Sequence, residues 1–417
     1  MKKSGLLAVV GVAGLLLLPM AIGRVALGGD NTANKPMSDV PAKWKYPHNI
    51  RGGVMSKTDF QSVESCRNCH TQFYHEWNSS GHGQSWKNIT FQTYYKSHLL
   101  KTGYAYDPDC LSCHAPLAVV DKQFDVKADI YKEGVTCDFC HSLVLKEGKS
   151  YENRIATENF LYLGKKRGPR WPSYEANHAM EYDDTYTQSQ YCSTCHQWEA
   201  GGVTLLDEYY TWGGSPAAAN EIQCQDCHMP AFKGIAALSA FPRDDVASHT
   251  FLGSDPHRSI DMGFLKDSLE LKAEGTIDAE NAQQVHLKVT LTNKNNAHMA
   301  PAGLSWRRLV LIVRVRDLDG NVYWEKREDI RRTLGDESGN PVVEDWYAKS
   351  VLSDTRLKPA ESRVYEYPVD TSKAEEGQRL WLEAQVYFIR QPNEVYDATQ
   401  RAYEKPWFVT GVPVEIQ

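Results

Sequence analysis

The chain is 417 residues long, 41% hydrophobic and 24% charged, with a formal net charge of −7 and ten cysteines. That length predicts two or three domains. No basic stripe runs through the sequence, so nucleic acid is excluded as an expected partner.

At the start, Lys2 and Lys3 precede an uncharged apolar run of 19 residues over 5–23, just long enough to span a bilayer. Ala26-Leu27-Gly28 offers a small-residue cleavage pattern. Residues 1–29 therefore read as either a cleaved signal peptide or a retained anchor in the cytoplasmic membrane. Both readings place the remainder outside the cytoplasm, periplasmic or extracellular, with the positive charge left inside. There is no lipobox cysteine, so no lipid anchor is expected. Residues 30–60 are polar and aperiodic and read as a linker.

From 61 to 262 one pattern recurs: CRNCH at 66–70, CLSCH at 110–114, CDFCH at 137–141, CSTCH at 192–196 and CQDCH at 224–228. It uses every cysteine: Cys66, Cys69, Cys110, Cys113, Cys137, Cys140, Cys192, Cys195, Cys224 and Cys227. Structural zinc sites pair a CxxC with a second CxxC or an HxxxH, and five such pairs cannot be divided into four-cysteine sites. A disulfide framework rarely uses two-residue spacings alone, and a thioredoxin-like redox motif occurs once, beside a βαβ pattern. Zinc also gives no reason for a histidine at the same offset each time. The pattern is that of c-type haem, in which two thiols capture the vinyl groups of one porphyrin and the adjacent imidazole is held against the iron. Five haem c are expected, with His70, His114, His141, His196 and His228 as proximal ligands. The first cysteines are 44, 27, 55 and 32 residues apart, which argues against a tandem repeat. This region has few long apolar runs and many Tyr, Trp, Gly and Pro residues. It is expected to be loop-rich and mostly helical, with the porphyrins standing in for a conventional core.

Nine of the fourteen histidines lie outside the motifs. A second neutral imidazole would close each iron for electron transfer, whereas an open position would admit a small molecule. His82 is the leading distal candidate. "GHGQSWKNITFQTYYKSHLLKTG" reads as a helix with His82 at its start and His98 on nearly the opposite side, so that one helix could serve two haems. His178, His249 and His257 are the further distal candidates. His48 in the linker and His286 on the polar face of a strand read as surface residues, and His75 lies too near His70 to reach round the same porphyrin. His298 reads as structural.

After 263 the character changes. "VHLKVTLTN" and "RLWLEAQVYFIR" alternate apolar and polar residues, and "LVLIVRVRDLDGNVYWEKR" is two strand-like runs around Asp319 and Gly320. Residues 263–417 contain no cysteine and predict a β-sandwich. The expected class is α+β and multidomain: a pentahaem domain at 61–262 followed by this sandwich, whose role is docking, assembly or covering the haem region.

"CRNCHTQFYHEWNSSGHGQSW", "CLSCHAPLA", "GVTCDFCHS", "YCSTCHQW" and "CQDCHMP…HTFLG" resemble the multihaem cytochrome c family that includes the tetrahaem electron carrier of ammonia-oxidising bacteria. The resemblance covers roughly 61–262, and "NKNNAHMAPAGLSWRR" and "DTRLKPAESRVYEY" are similar to the β-domain that follows many such haem regions. It implies that His82, in the pattern S-x-H, ligates another motif's haem, with His178 and His249 also at distal positions. It further implies that the haem on Cys110, Cys113 and His114 is the one that is five-coordinate in the carrier, closed here by His98 or left open. The departure is the fifth haem.

The expected function is electron transfer along mostly bis-His haems between exported redox partners, in respiratory or extracellular electron transfer. A quinol-oxidising complex, another cytochrome or a terminal reductase would be the partner. Surplus histidines also leave room for self-assembly, one chain ligating a neighbour's haem. The alternative is a haem enzyme acting on a small nitrogen or sulfur species at one open iron, with Tyr94, Tyr95, His98 and Asp109 as nearby acid/base groups. A third reading, a surface-binding sandwich with incidental haems, leaves the motifs unexplained.

Overall fold

The computed structural model describes residues 60–143, 166–170, 178, 180–238, 240–253, 259–375, 377–392 and 407–416. The targeting segment, the linker up to residue 59, His48 and His257 lie outside the described residues. Among the described residues, no helix is long and apolar enough to cross a membrane.

The first part is a string of short elements: α1 (Val63–Arg67), α2 (Thr71–Asn78), α3 (Ile89–Thr102), α4 (Pro108–His114), α5 (Pro116–Val120), α6 (Cys137–Cys140), β1 (Lys166–Gly168), β2 (Met180–Tyr182), α7 (Ser189–His196), β3 (Trp198–Ala200), β4 (Val203–Leu206), α8 (Glu208–Gly213), α9 (Pro216–Ala219), α10 (Cys224–His228), β5 (Ala231–Gly234), β6 (Arg243–Ala247) and α11 (Ser259–Asp267). The one long helix among the described residues, α3, is well delimited. The Asn88 side chain accepts from the Phe91 N–H at its start, and Gly103 ends it in the left-handed conformation, φ 73°. The helix predicted to begin at His82 thus begins later, and His82 sits in the turns that precede it.

The strands that follow are β7 (Leu269–Ile277), β8 (Gln284–Asn293), β9 (Arg308–Arg316), β10 (Val322–Ile330), β11 (Arg332–Gly335), β12 (Ser350–Asp354), β13 (Ser362–Asp370), β14 (Trp381–Ile389) and β15 (Trp407–Glu415). A four-stranded sheet in the order β10-β9-β14-β15 and a three-stranded sheet in the order β13-β8-β7 are each antiparallel throughout. The alternation read in the sequence is the burial pattern observed: Val285, Leu287, Val289 and Leu291 of β8 are buried against Leu309, Leu311, Val313 and Val315 of β9 and Leu382, Ala384 and Val386 of β14. Each such Leu or Val contributes about 1.5–3 kcal/mol. The protein is α+β: the helices lie in the first part with three two-stranded sheets, and the two larger sheets follow.

The helical region departs from expectation in one respect. It has an apolar cluster of its own, in which Leu111, Ala115, Leu117, Ala118, Val120, Tyr131 and Phe139 are buried. The signal was the run "APLAVV" after the second motif, five residues of which form α5 and are all buried. The haems are therefore not the sole core of this region.

A buried ionic contact joins the two regions. Asp207, just before α8, accepts from Arg356 Nη1 at 3.0 Å and Nη2 at 2.6 Å, and from Arg332 Nη1 at 3.2 Å. Burial opposes the charge on Asp207, but the Arg356 hydrogen bonds and the two guanidinium charges outweigh it and hold the carboxyl below its ordinary range. A depressed carboxylate contributes stability that is complete above about pH 4 and is lost as pH falls through the lower folded value. Asp207→Ala, which leaves two buried guanidinium groups short of a partner, is expected to cost about 3–5 kcal/mol in denaturant unfolding of the haem-loaded protein.

Candidate haem centre

Each motif is built on a single helical turn. Residues i, i+3 and i+4 share a helix face, so the two thiols and the imidazole of a CxxCH project together. The sequence caps these turns individually. Asp107 accepts from the Asp109 N–H ahead of α4, Thr136 from the Phe139 N–H ahead of α6, and Gln223 and Asp226 form a reciprocal capping box on α10. Around the first motif the His70 N–H bonds the Cys66 carbonyl at 2.9 Å, continuing the turn past α1.

Four of the five motif histidines then donate Nδ1–H to a backbone carbonyl: His70 to Ala236 at 2.7 Å, His114 to Ser85 at 2.7 Å, His141 to Arg167 at 2.6 Å and His228 to Leu252 at 2.6 Å. These bonds fix the tautomer and leave Nε2 available for a metal. The acceptors carry no sequence signal, because every residue has a carbonyl.

The non-motif histidines are where pairing is seen. His178 faces His70 with ring centroids 6.2 Å apart, His249 faces His141 at 6.2 Å, His82 faces His196 at 6.1 Å, and His298 faces His228 at 6.2 Å. A metal–nitrogen distance of about 2 Å on each side, plus the distance from each nitrogen to its ring centre, gives a separation of this size. The cradle thus fits an iron between each pair. Three of the five distal candidates of the sequence, His82, His178 and His249, each stand opposite a motif histidine. His298 was not among the candidates; its loop, "AHMAPAG", gave no periodicity to mark it. Its Nδ1 bonds the Met299 carbonyl at 3.0 Å, and the Asn295 amide lies 3.1 Å from Nδ1 and 3.3 Å from Nε2.

His98 is placed differently from the expectation. Its Nε2 is 2.8 Å from Asp107 Oδ2 and its Nδ1 is 3.0 Å from the Tyr347 hydroxyl, so both nitrogens are engaged. It stands opposite no motif histidine and ties α3 to the helix cap of the second motif and to the β-domain. Tyr94 stacks on Trp306 beside it, 5.4 Å between centroids, and Lys101 pairs with Glu344. His114 in turn is stacked at 3.7 Å on Phe91, and among the described residues no histidine stands opposite it. His75 and His286 are exposed, the latter bonded to Asp278 at 2.9 Å.

Burial lowers the proton affinity of these rings. His82 is pushed down to about 3 by burial and then by His196, His228 and His249. Burial likewise takes His114, His228 and His249 to about 4, against the opposing pull of their backbone carbonyls. All are neutral at pH 7, the form that ligates a metal.

The motifs also touch one another. The side chains of Cys66 and Cys137, of Cys113 and Cys195, and of Cys192 and Cys224 lie against each other. Tyr191, in the fourth motif's helix, donates to the Cys140 carbonyl at 2.5 Å, and the Cys224 N–H bonds Ser189 Oγ at 2.9 Å. The fourth motif therefore adjoins the second, third and fifth, and the third adjoins the first.

Residues 65–142 match the family described as cytochrome c554 and c-prime. That match spans the first three motifs. Among solved structures, a penta-heme cytochrome c552 from Thermochromatium tepidum has the same fold: TM-score 0.68 at 22% identity, covering 86% of this chain and 99% of that one. Two further similarities are a β-glucuronidase 2 from Bacteroides uniformis (TM-score 0.17, 11% identity, 36% of this chain and 13% of that one) and the putative ApaA protein from Bordetella pertussis (0.19, 11%, 36% and 93%). Both are too distant to carry an argument. No curated protein matches.

His98→Leu deprives Asp107 and Tyr347 of a buried partner and is expected to cost about 1–3 kcal/mol. It should leave the low-spin haem absorption of the folded protein unchanged, where loss of an axial ligand would alter it.

Proposed function

We propose that the chain is an electron-transfer protein holding five covalent haems, four of them between the pairs His70/His178, His141/His249, His196/His82 and His228/His298. The observation that carries this is that each pair joins one CxxCH histidine to one non-motif histidine at 6.1–6.2 Å. Haem c supplies reversible one-electron chemistry when bound, and two imidazole ligands hold it at low potential relative to an imidazole–thioether set. The chain's own part is to anchor, orient and crowd: ten thiols fix the macrocycles, backbone carbonyls lock the proximal rings, and contacts between motifs keep neighbouring sites within reach. Neutral buried imidazoles let the sites change charge without taking up a proton on the ligand.

The partners in this reading are exported redox proteins: a quinol-oxidising complex, another cytochrome or a terminal reductase. The leader at residues 1–29 would deliver the chain to the periplasm or beyond, or anchor it. Self-assembly through surplus histidines would draw on His48, His75, His257 or His286, since His82, His178, His249 and His298 are paired within the chain.

A second reading has its own observation in His114. Among the described residues it has no histidine opposite, which would leave its haem able to take a small ligand or act on a small nitrogen or sulfur species. Mass spectrometry should find five haem additions and no bare thiols. Electron paramagnetic resonance should show four low-spin ferric sites and one high-spin site that binds cyanide. A fifth low-spin site would remove the enzymatic reading, and fewer than five haems would overturn the first. His298→Ala should convert one low-spin site to high spin while the haem count stays at five.

A further inference from the structure

We propose that the His82–His196 pair holds the haem of highest reduction potential among the four paired sites, so that electrons settle at the fourth motif before occupying the others. This rests on the haem reading above and concerns what surrounds these two imidazoles.

The first reason is hydrogen bonding. An Nδ1–H that donates to a carbonyl makes the imidazole a stronger electron donor, which favours the oxidised metal and lowers the potential. His70, His141 and His228 all have such an acceptor at 2.6–2.7 Å, and the partners His249 and His298 have one at 3.0 Å. His82 Nδ1 is buried with no hydrogen-bond partner. Among the described residues none bonds the ring of His196 either. This pair is thus the one in which, among the described residues, neither imidazole has a protein acceptor, whereas each of the other pairs has at least one.

Neighbouring carboxylates act in the same direction. The oxidised site carries one more positive charge than the reduced one, so a nearby carboxylate favours the oxidised form. Asp138 acts on His141 and Asp261 on His228, whereas the groups acting on His82 are histidines alone.

Position is the third reason. The fourth motif adjoins the second, third and fifth. Three oxidised neighbours repel positive charge at the centre more than one or two do at the ends. All three effects raise the same potential, and the site they raise is the branch point of the array.

The ring planes provide an assignment. They cross at 66° in the His82–His196 pair, against 41°, 26° and 17° in the pairs of His70, His141 and His228. Strongly crossed imidazoles leave the iron d orbitals nearly degenerate and give the most anisotropic low-spin ferric signal. The lever is Phe251, whose ring lies 4.2 Å from that of His82 at 69°. Its φ of 48° is in the left-handed region, which asparagine adopts readily. Phe251→Asn places an amide oxygen beside His82, and Phe251→Leu is the apolar control.

In a potentiometric titration of the haem-loaded protein followed by electron paramagnetic resonance, the most anisotropic low-spin signal should vanish first on reduction. Phe251→Asn should shift its midpoint to lower potential, and Phe251→Leu should leave it in place. The proposal is overturned if another low-spin signal vanishes first, if Phe251→Asn shifts nothing, or if Phe251→Leu lowers the midpoint as much. Failure of the underlying haem reading looks different: too few haem additions by mass, or no low-spin signals before any titration begins.

Discussion

Two imidazoles can share one metal only if the chain brings their rings to opposite sides of a point at about 2 Å from each nitrogen. Much of the helical region is arranged around meeting that requirement four times. The short helical turns present one imidazole each. The second imidazole comes from a turn before α3, from loops around β2 and β6, and from a loop of the β-domain. Segments carrying it are held by ordinary means: helix caps, an apolar cluster around α5, and backbone hydrogen bonds that cross between motifs.

The β-sandwich has a self-sufficient core, but it is not an appendage to the haem region. It supplies His298 opposite His228, and it presents Tyr347 to His98 and the two guanidinium groups of Arg332 and Arg356 to Asp207. The last contact is a buried charge cluster, whose rupture on one side is far more costly than its net contribution. The fifth site is thus coupled to the correct seating of the sandwich.

The sites differ from one another through their surroundings. Among the described residues, backbone carbonyl acceptors reach the rings of three of the pairs and not those of the fourth motif's pair. The second motif differs again: its histidine is stacked on Phe91 and its helix cap is tied through Asp107 and His98 to the β-domain. A single motif repeated along the chain therefore sits in unequal surroundings from one copy to the next.

The sequence by itself determined the anchors and the sandwich strands. CxxCH is a pattern within one helical turn, and strand alternation is a pattern of period two, so both are set by neighbours along the chain. It also offered His82, His98, His178, His249 and His257 as distal candidates, of which His82, His178 and His249 stand opposite motif histidines. The tertiary structure alone decided which histidine faces which, and it placed His298 opposite His228 and engaged His98 with Asp107 and Tyr347. It also supplied the carbonyls of Ser85, Arg167, Ala236 and Leu252 that lock the proximal rings. Those choices depend on the path of the chain through space, and no local spacing encodes the meeting of two residues separated by scores of others.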